Sequence, residues 1–138
     1  MQVNMATQSN SLSDWVNQLY HALYYQPDND VAITAFEEQV DPSFIARINH
    51  SHFTFDQFKE LLKQSRSALT FSLSSSSDIL KWDDEEKKGG SVAQFLKSAS
   101  KDNATGKETK STTVILSTVK WVDGKRLLTE TTEVNVDE

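Results

Sequence analysis

Four side chains capable of binding or acid–base chemistry lie between residues 47 and 52, in the segment "FIARINHSHF" that starts at Phe44. They are Arg47, Asn49, His50 and His52. Arginine binds carboxylates or phosphates through a rigid fork, and asparagine both donates and accepts hydrogen bonds. Histidine titrates near neutral pH and serves as an acid or a base, and two histidines at this spacing can share a metal ion. The segment is therefore the first candidate for a site.

The direction in which these side chains point decides what they can do. If the segment is a strand, alternation places Arg47 and Asn49 on one face and His50 on the other. A face that lines a cavity would let Arg47 and Asn49 bind an anionic or carbonyl-bearing ligand, whereas an outward face would leave them solvated. Both orientations stay open, because the alternate positions suit a core equally well: Phe44, Ala46 and Ile48. We predict that Arg47 and Asn49 line a cavity and that the histidines lie outside it, with no metal site.

The acidic residues nearest to this segment have simpler explanations. Asp41 precedes Pro42 at the boundary of two predicted elements, and Asp56 falls in the first turn of a predicted helix. Turn geometry and the helix dipole account for both carboxylates. The chain has no Ser/His/Asp order, no glycine-rich phosphate loop and no nucleotide fingerprint. We therefore predict no cofactor, and these patterns identify no catalytic residue.

Composition limits the classes of protein to which the chain can belong. It has 138 residues, of which 37% are apolar and 25% charged, as is typical of a globular domain with a core. The net charge of −6 disfavours nucleic acid as a partner, and no apolar segment is long enough to span a membrane. The lack of cysteine excludes disulfides, zinc–thiolate sites and cysteine nucleophiles. The first residues do not resemble a secretory signal, so we expect a cytoplasmic protein.

Helical periodicity dominates the first half of the chain. Ser11 or Ser13 can cap a first helix, whose apolar face carries Leu12, Trp15, Val16, Leu19, Tyr20, Leu23 and Tyr24. A second helix covers "VAITAFEEQV" and is ended by the proline that follows. A strand over 44–50 comes next, and Thr54 caps a third helix with Phe58 in its buried stripe. We expect residues 1–10 to be a flexible N-terminus and residues 11–138 to form a single domain.

From Leu69 the apolar pattern changes to a period of two, which predicts strands near 69–82, 90–101, 110–122 and 125–136. The last two are joined by Val122-Asp123-Gly124-Lys125, and Asp-Gly between two β-rich segments is a strong hairpin signal. The predicted fold class is α+β, with the order α-α-β-α-β-β-β-β. A curved antiparallel sheet is expected to wrap around the N-terminal helices.

This order of elements resembles the nuclear transport factor 2-like superfamily, also called cystatin-like α+β, which includes SnoaL-like polyketide cyclases and ketosteroid isomerases. The resemblance covers about residues 11–136 and is carried by "DWVNQLYHALYY", "AITAFEEQV", "VDPSFIARINH", "TFDQFKELL" and the four-strand tail. It implies a sheet that closes around the helices as a cone, a pocket at the mouth of the cone, and a homodimer formed through the outer face of the sheet.

The resemblance also implies roles for individual residues. Tyr20 falls where ketosteroid isomerases place a tyrosine that donates to an oxyanion, although an aromatic residue on this helix face also suits the core. Arg47 or Asn49 stands where the first-strand carboxylate of those enzymes should be, and neither can act as that base. A SnoaL-like cyclase needs an acid on a late strand, and Glu130 or Glu133 could supply it. Both residues belong to a Thr/Glu alternation that is typical of a solvated face. The residues expected at a ligand pocket are Trp15, Tyr20, Arg47, Asn49 and Phe58.

Two functions from different classes fit these patterns. The first is a pocket protein that binds a small apolar molecule bearing a carbonyl or carboxylate group, with a cofactor-free isomerase, cyclase or dehydratase as its catalytic form. The second is a non-catalytic dimerisation or protein-interaction module. The supply of aromatic residues favours the first, the lack of a clear acid–base pair weighs against catalysis, and the threonine-rich strands suit a polar interface.

Overall fold

The computed structural model describes residues 10–138, so the prediction for residues 1–10 falls almost wholly outside the described residues. The helices begin where capping side chains supply acceptors for free backbone N–H groups. Helix α1 (Leu12–Tyr20) follows Ser11, whose hydroxyl accepts from the Asp14 backbone, and it continues into a π turn, His21–Tyr25. Helix α2 (Asn29–Gln39) is capped by Asp28. Helix α3 (Phe55–Ala68) begins with the predicted cap at Thr54, which forms a capping box with Gln57. None of the helices between residues 10 and 138 is long and apolar enough to cross a membrane.

The strands follow the period-two pattern closely. Strand β1 (Val40–Ile48) and the short β2 (Ser51–Thr54) form a hairpin before α3. The four long strands of the second half are β3 (Leu69–Asp83), β4 (Gly90–Asp102), β5 (Glu108–Val122) and β6 (Lys125–Asp137). The predicted strands of this half are confirmed, and their ends agree to within two residues. Strand β2 was not predicted as a separate element.

Between residues 10 and 138 the six strands form one sheet in the order β2-β1-β6-β5-β4-β3. The α+β class and the order of helices and strands are confirmed. The sheet is mixed rather than wholly antiparallel, because β1 and β6 run parallel. Parallel neighbours need a long crossover connection, and the segment from β2 through β5 supplies it.

One face of the sheet packs on the helices and forms the core. Phe36 of α2 lies at its centre, fully buried against the rings of Phe44, Phe55 and Phe58. Register shifts between β3 and β4, and between β5 and β6, bend the long strands, as extra residues in a ladder do. The sheet therefore curves around the helices and leaves space between its inner face and α3.

Candidate functional site

A cavity of about 220 Å³ lies between the inner face of the sheet and the helices. Apolar and aromatic side chains form most of its wall, and one carboxyl group faces it. Its lining comprises Tyr20, Tyr24, Tyr25, Ile48, Phe58, Leu61, Leu62, Ser65, Phe71, Leu96, Ser98, Thr113, Ile115, Glu133 and Asn135. None of these described lining residues is Lys, Arg or His. The cavity therefore suits a small, largely apolar molecule that is not an anion.

Glu133 is the carboxyl group in this cavity, and the pairing of the strands explains its position. On β6 it lies directly between Ile48 of β1 and Ile115 of β5, with its side chain on the inner face. Burial among these apolar neighbours raises the pKa of Glu133 to about 7, because the charged form loses its water. Both protonation states are then populated near neutral pH, which is the property of an effective acid–base group.

Three tyrosines face Glu133 from the end of the first helix. The hydroxyl of Tyr20 forms a buried hydrogen bond with the Ser117 hydroxyl of β5. Burial raises the pKa of Tyr20 and of Tyr24, and the nearby Glu133 carboxylate raises them further, so both phenols stay protonated as donors. Tyr24 and Tyr25 belong to the π turn, whose wider winding brings two consecutive tyrosines to the same cavity. Single π turns inside helices are frequent at functional sites.

The structure brings together two of the five residues expected at the pocket. Tyr20 and Phe58 line the cavity, and both are also largely buried core residues. For Tyr20, a place in the core and a place at the pocket are therefore compatible. Trp15 does not line it. Its indole packs in the core, and its edge borders a separate surface groove beside Trp121 and Arg126.

The placement predicted for Arg47 and Asn49 at the cavity is corrected by the strand geometry. Phe44 and Ala46 of β1 are buried on the inner face, so alternation turns Arg47 outward, where it pairs with Glu130 of β6 on a half-exposed surface. Asn49 follows the strand at a positive φ of 53°, and its side chain bonds to the backbone of Asn135. Both residues therefore hold β1 and β6 together outside the cavity.

The two histidines of the opening segment lie on the surface. His50 lies in the exposed turn between β1 and β2, and His52 is exposed on β2. Neither lines the cavity. Ordinary surface positions account for both side chains.

Tyr24 and Tyr25 are candidate site residues that the sequence patterns missed, and Glu133 was offered only beside the explanation of a solvated face. The Thr/Glu alternation of β6 suggested that Glu130 and Glu133 share one solvated face, but the residues are three apart and therefore lie on opposite faces. The odd spacing of the two glutamates is the signal that could have distinguished them. If one carboxylate faces solvent, the other must face the opposite side of the sheet, where the cavity lies.

Comparisons with known proteins identify the fold. No family model and no curated protein sequence matches the chain. Solved structures do match it: a conserved protein from Planctomyces limnophilus superimposes with a TM-score of 0.76 at 9% identity, covering 89% of this chain and 94% of that one. The fold is the nuclear transport factor 2-like, or cystatin-like, fold.

Two further structures with this fold carry functional names. A ketosteroid isomerase-like protein from Erwinia carotovora atroseptica has a TM-score of 0.71 at 11% identity, covering 91% of this chain and 93% of that one. A hexachlorocyclohexane dehydrochlorinase has a TM-score of 0.65 at 6% identity, covering 89% and 84%. At these identities the similarity establishes the architecture alone, and any activity must be argued from the cavity.

Proposed function

We propose that the protein binds a small, largely apolar molecule carrying a carbonyl group, and that Glu133 acts on this molecule as a base and an acid without a cofactor. The observation that carries this proposal is the position of Glu133: a carboxyl group with a pKa of about 7 in an aromatic and aliphatic cavity. A group of this kind gives up and takes back protons at the pH of a cell.

The chemistry that fits best is proton transfer at a carbon next to the carbonyl. Ionised Glu133 removes that proton, and the electron pair of the C–H bond moves to the carbonyl oxygen to give an enolate. The Tyr20 hydroxyl, which the cavity keeps protonated, accepts from the Ser117 hydroxyl and donates its own proton to that oxygen. Protonated Glu133 then returns the proton to the same or another carbon, which amounts to an exchange or an isomerisation.

The ligand is better described as a neutral carbonyl compound than as a carboxylate. The expectation of a carboxylate depended on Arg47, which lies on the outer face and pairs with Glu130. The cavity itself holds an acid and, among its described lining residues, no cationic side chain. A bound carboxylate would therefore be desolvated beside a like charge.

Binding can be tested with tetralone, a bicyclic ketone, and with naphthoic acid as its charged counterpart. Tetralone at millimolar concentration is expected to raise the melting temperature, because a ligand that binds only the folded state stabilises it. Naphthoic acid is expected to have no effect at pH 8, where both it and Glu133 are ionised.

Two variants serve as controls for this measurement. Ser65→Trp fills the cavity wall from α3 and is expected to abolish the shift caused by tetralone, whereas Arg47→Met on the outer face is expected to leave it unchanged. Equal or stronger stabilisation by naphthoic acid, or a tetralone shift that survives Ser65→Trp, would contradict binding in this cavity.

A homodimer through the sheet is the second candidate function, and one surface feature favours it. The outer face of β5 and β6 carries four valine and leucine side chains between 41% and 59% exposed, which we call the outer patch: Val114, Leu116, Val134 and Val136. Val114 and Val134 are direct cross-strand partners, so the patch is continuous. Contiguous apolar surface of this kind marks an interaction site on many proteins.

The expected result is that the protein scatters light as a dimer at micromolar concentration and that Leu116→Lys with Val134→Lys converts it to a monomer. Paired lysines would have to be desolvated against their copies across the interface. Ile79→Lys is the matched control, because it places the same charge on an exposed apolar residue of the edge strand β3. A monomeric mass for the unchanged protein would refute this candidate.

A further inference from the structure

A second recess, of about 380 Å³, lies next to the cavity between α1, the π turn, β3 and β4. Tyr20, Tyr25 and Leu96 form part of the wall of both spaces. The recess is largely apolar, like the cavity, and side-chain amides border it, among them Asn17 and Gln94. A ligand that fills the cavity therefore has a second apolar space beside it, with amide groups at its border.

Gln94 is the buried polar residue of this recess, and its amide is held in one orientation. It is 0% exposed, and its Nε2 donates to Asn17 Oδ1 at 2.8 Å and to Asp78 Oδ1 at 3.0 Å. The other oxygen of Asp78 accepts from the Ser13 hydroxyl at 2.6 Å. These two donated bonds lower the pKa of Asp78, which stays ionised and can only accept. The nitrogen of Gln94 must therefore face Asp78, and its oxygen must face away.

The oxygen of Gln94 is a buried acceptor without a donor. No described residue donates a hydrogen bond to Oε1, and it is the one such side-chain atom found between residues 10 and 138. A buried acceptor without a partner is costly, and groups of this kind in folded proteins call for an explanation. A donor carried by a ligand would satisfy it.

The sheet places Gln94 level with Glu133. Gln94 of β4 pairs with Ile115 of β5, and Ile115 pairs with Glu133 of β6, so the three residues form one row across the sheet. Neighbouring strands are spaced by just under 5 Å, and the two polar residues are therefore about 10 Å apart at the backbone. A molecule of two fused rings can reach both side chains.

We propose that the recess is a second subsite of the same ligand site, in which Gln94 Oε1 accepts a hydrogen bond from a hydroxyl or amino group at the far end of the ligand. The substrate class is then a hydroxy- or amino-substituted cyclic ketone, with its carbonyl at Glu133 and Tyr20. This inference depends on the proposed function. It adds a hydrogen-bond donor to the description of the ligand, because the nitrogen of Gln94 already has its partners and only the oxygen is free to accept.

The test compares three compounds: tetralone, its derivative with a hydroxyl on the aromatic ring, and the matching methoxy compound, which cannot donate. Titration calorimetry is expected to show the hydroxy compound binding about tenfold more tightly than the methoxy compound, which corresponds to one well-formed hydrogen bond. Gln94→Met is expected to bring this ratio close to one while leaving the affinity for tetralone unchanged.

Two further variants guard against a purely structural effect of the substitution. Asp78→Asn replaces the carboxylate that fixes the amide by a group that can also donate, so the amide can turn over; it is expected to reduce the ratio, and it decides the question if Gln94→Met does not fold. Gln18→Met changes an exposed residue of the same recess and is expected to keep the tenfold ratio.

The outcomes separate this inference from the proposed function. If tetralone binds and Ser65→Trp abolishes its binding, but the hydroxy and methoxy compounds bind equally, the subsite is wrong and the proposed function stands. A tenfold ratio that persists in folded Gln94→Met and Asp78→Asn also overturns the subsite. If none of the three compounds binds at millimolar concentration, both proposals fail.

Discussion

Glu133→Gln is expected to lower the rate at which the protein exchanges the α-protons of tetralone with deuterated water by a factor on the order of 10² to 10⁴, the usual contribution of a general base. Glutamine keeps the shape of the side chain and an N–H donor for the carbonyl, but it cannot accept the proton. Binding should therefore change little while exchange is lost. Mass spectrometry of the recovered ketone measures the rate directly.

The pH dependence of the same reaction provides a second criterion. Since Glu133 must be ionised to remove a proton, the exchange rate should rise with pH through about 7 and then level off. Tyr20→Phe should also lower the rate, because it removes the donor to the enolate oxygen.

Glu130→Gln is the matched control for this experiment. It makes the same chemical change on the same strand, but on the outer face beside Arg47, where no ligand is proposed. If Glu133→Gln leaves the exchange rate unchanged, or if Glu130→Gln lowers it by the same factor, Glu133 is not the base of this reaction. Without any exchange above the buffer rate, the protein would be a binder rather than a catalyst of this reaction.

Glu133→Gln is also expected to stabilise the protein at alkaline pH. The pKa of Glu133 rises from about 4.5 in the unfolded chain to about 7 in the folded protein, so folding favours the protonated form. As pH rises through this interval, the wild-type protein loses about 3 kcal/mol of its free energy of unfolding relative to a variant with a neutral side chain at this position. Above pH 7 the loss is complete.

Urea denaturation at several pH values measures this difference. At pH 8 Glu133→Gln should be more stable than the wild-type protein by about 3 kcal/mol, and near pH 4.5 the two should be nearly equal. Glu130→Gln removes only a half-exposed ion pair with Arg47 and should cost about 1 kcal/mol or less at pH 8. A wild-type protein as stable as Glu133→Gln at pH 8 would show that the carboxylate is solvated, and the cavity as described would be incorrect.

Together these two expectations describe a residue that is unfavourable for folding and useful for chemistry. A neutral side chain at position 133 would make the sheet more stable, yet the ionisable group is present. Active-site groups often reduce stability in this way.

The sequence predicted the elements well because each depends on local patterns. The caps at Ser11 and Thr54 and the period-two strands after Leu69 are properties of neighbouring residues, and the structure has all of them. The position of Tyr20 was also predictable, because helical periodicity fixes the face of the helix on which it lies.

The cavity was predicted less well because it depends on which strands become neighbours. Arg47 was placed at the cavity because both faces of β1 carry apolar residues, and only the packing of Phe44 and Ala46 decides which face is buried. The position of Glu133 between Ile48 and Ile115 follows from a parallel pairing that no local pattern predicts. The π turn likewise depends on packing, and it alone brings Tyr25 to the cavity beside Tyr24.

The central position of β6 has a consequence for how the chain folds during synthesis. It lies between β1 and β5, although it is the last of the six described strands to leave the ribosome. Until it does, β1 and β5 each present an unpaired edge, and such edges are where nascent chains associate with one another. The pairing of Ile48 with Glu133 joins distant parts of the sequence, which makes closure of the sheet a slow step. Glu133 enters the cavity in that same step, so its carboxyl group loses its water only when the sheet closes.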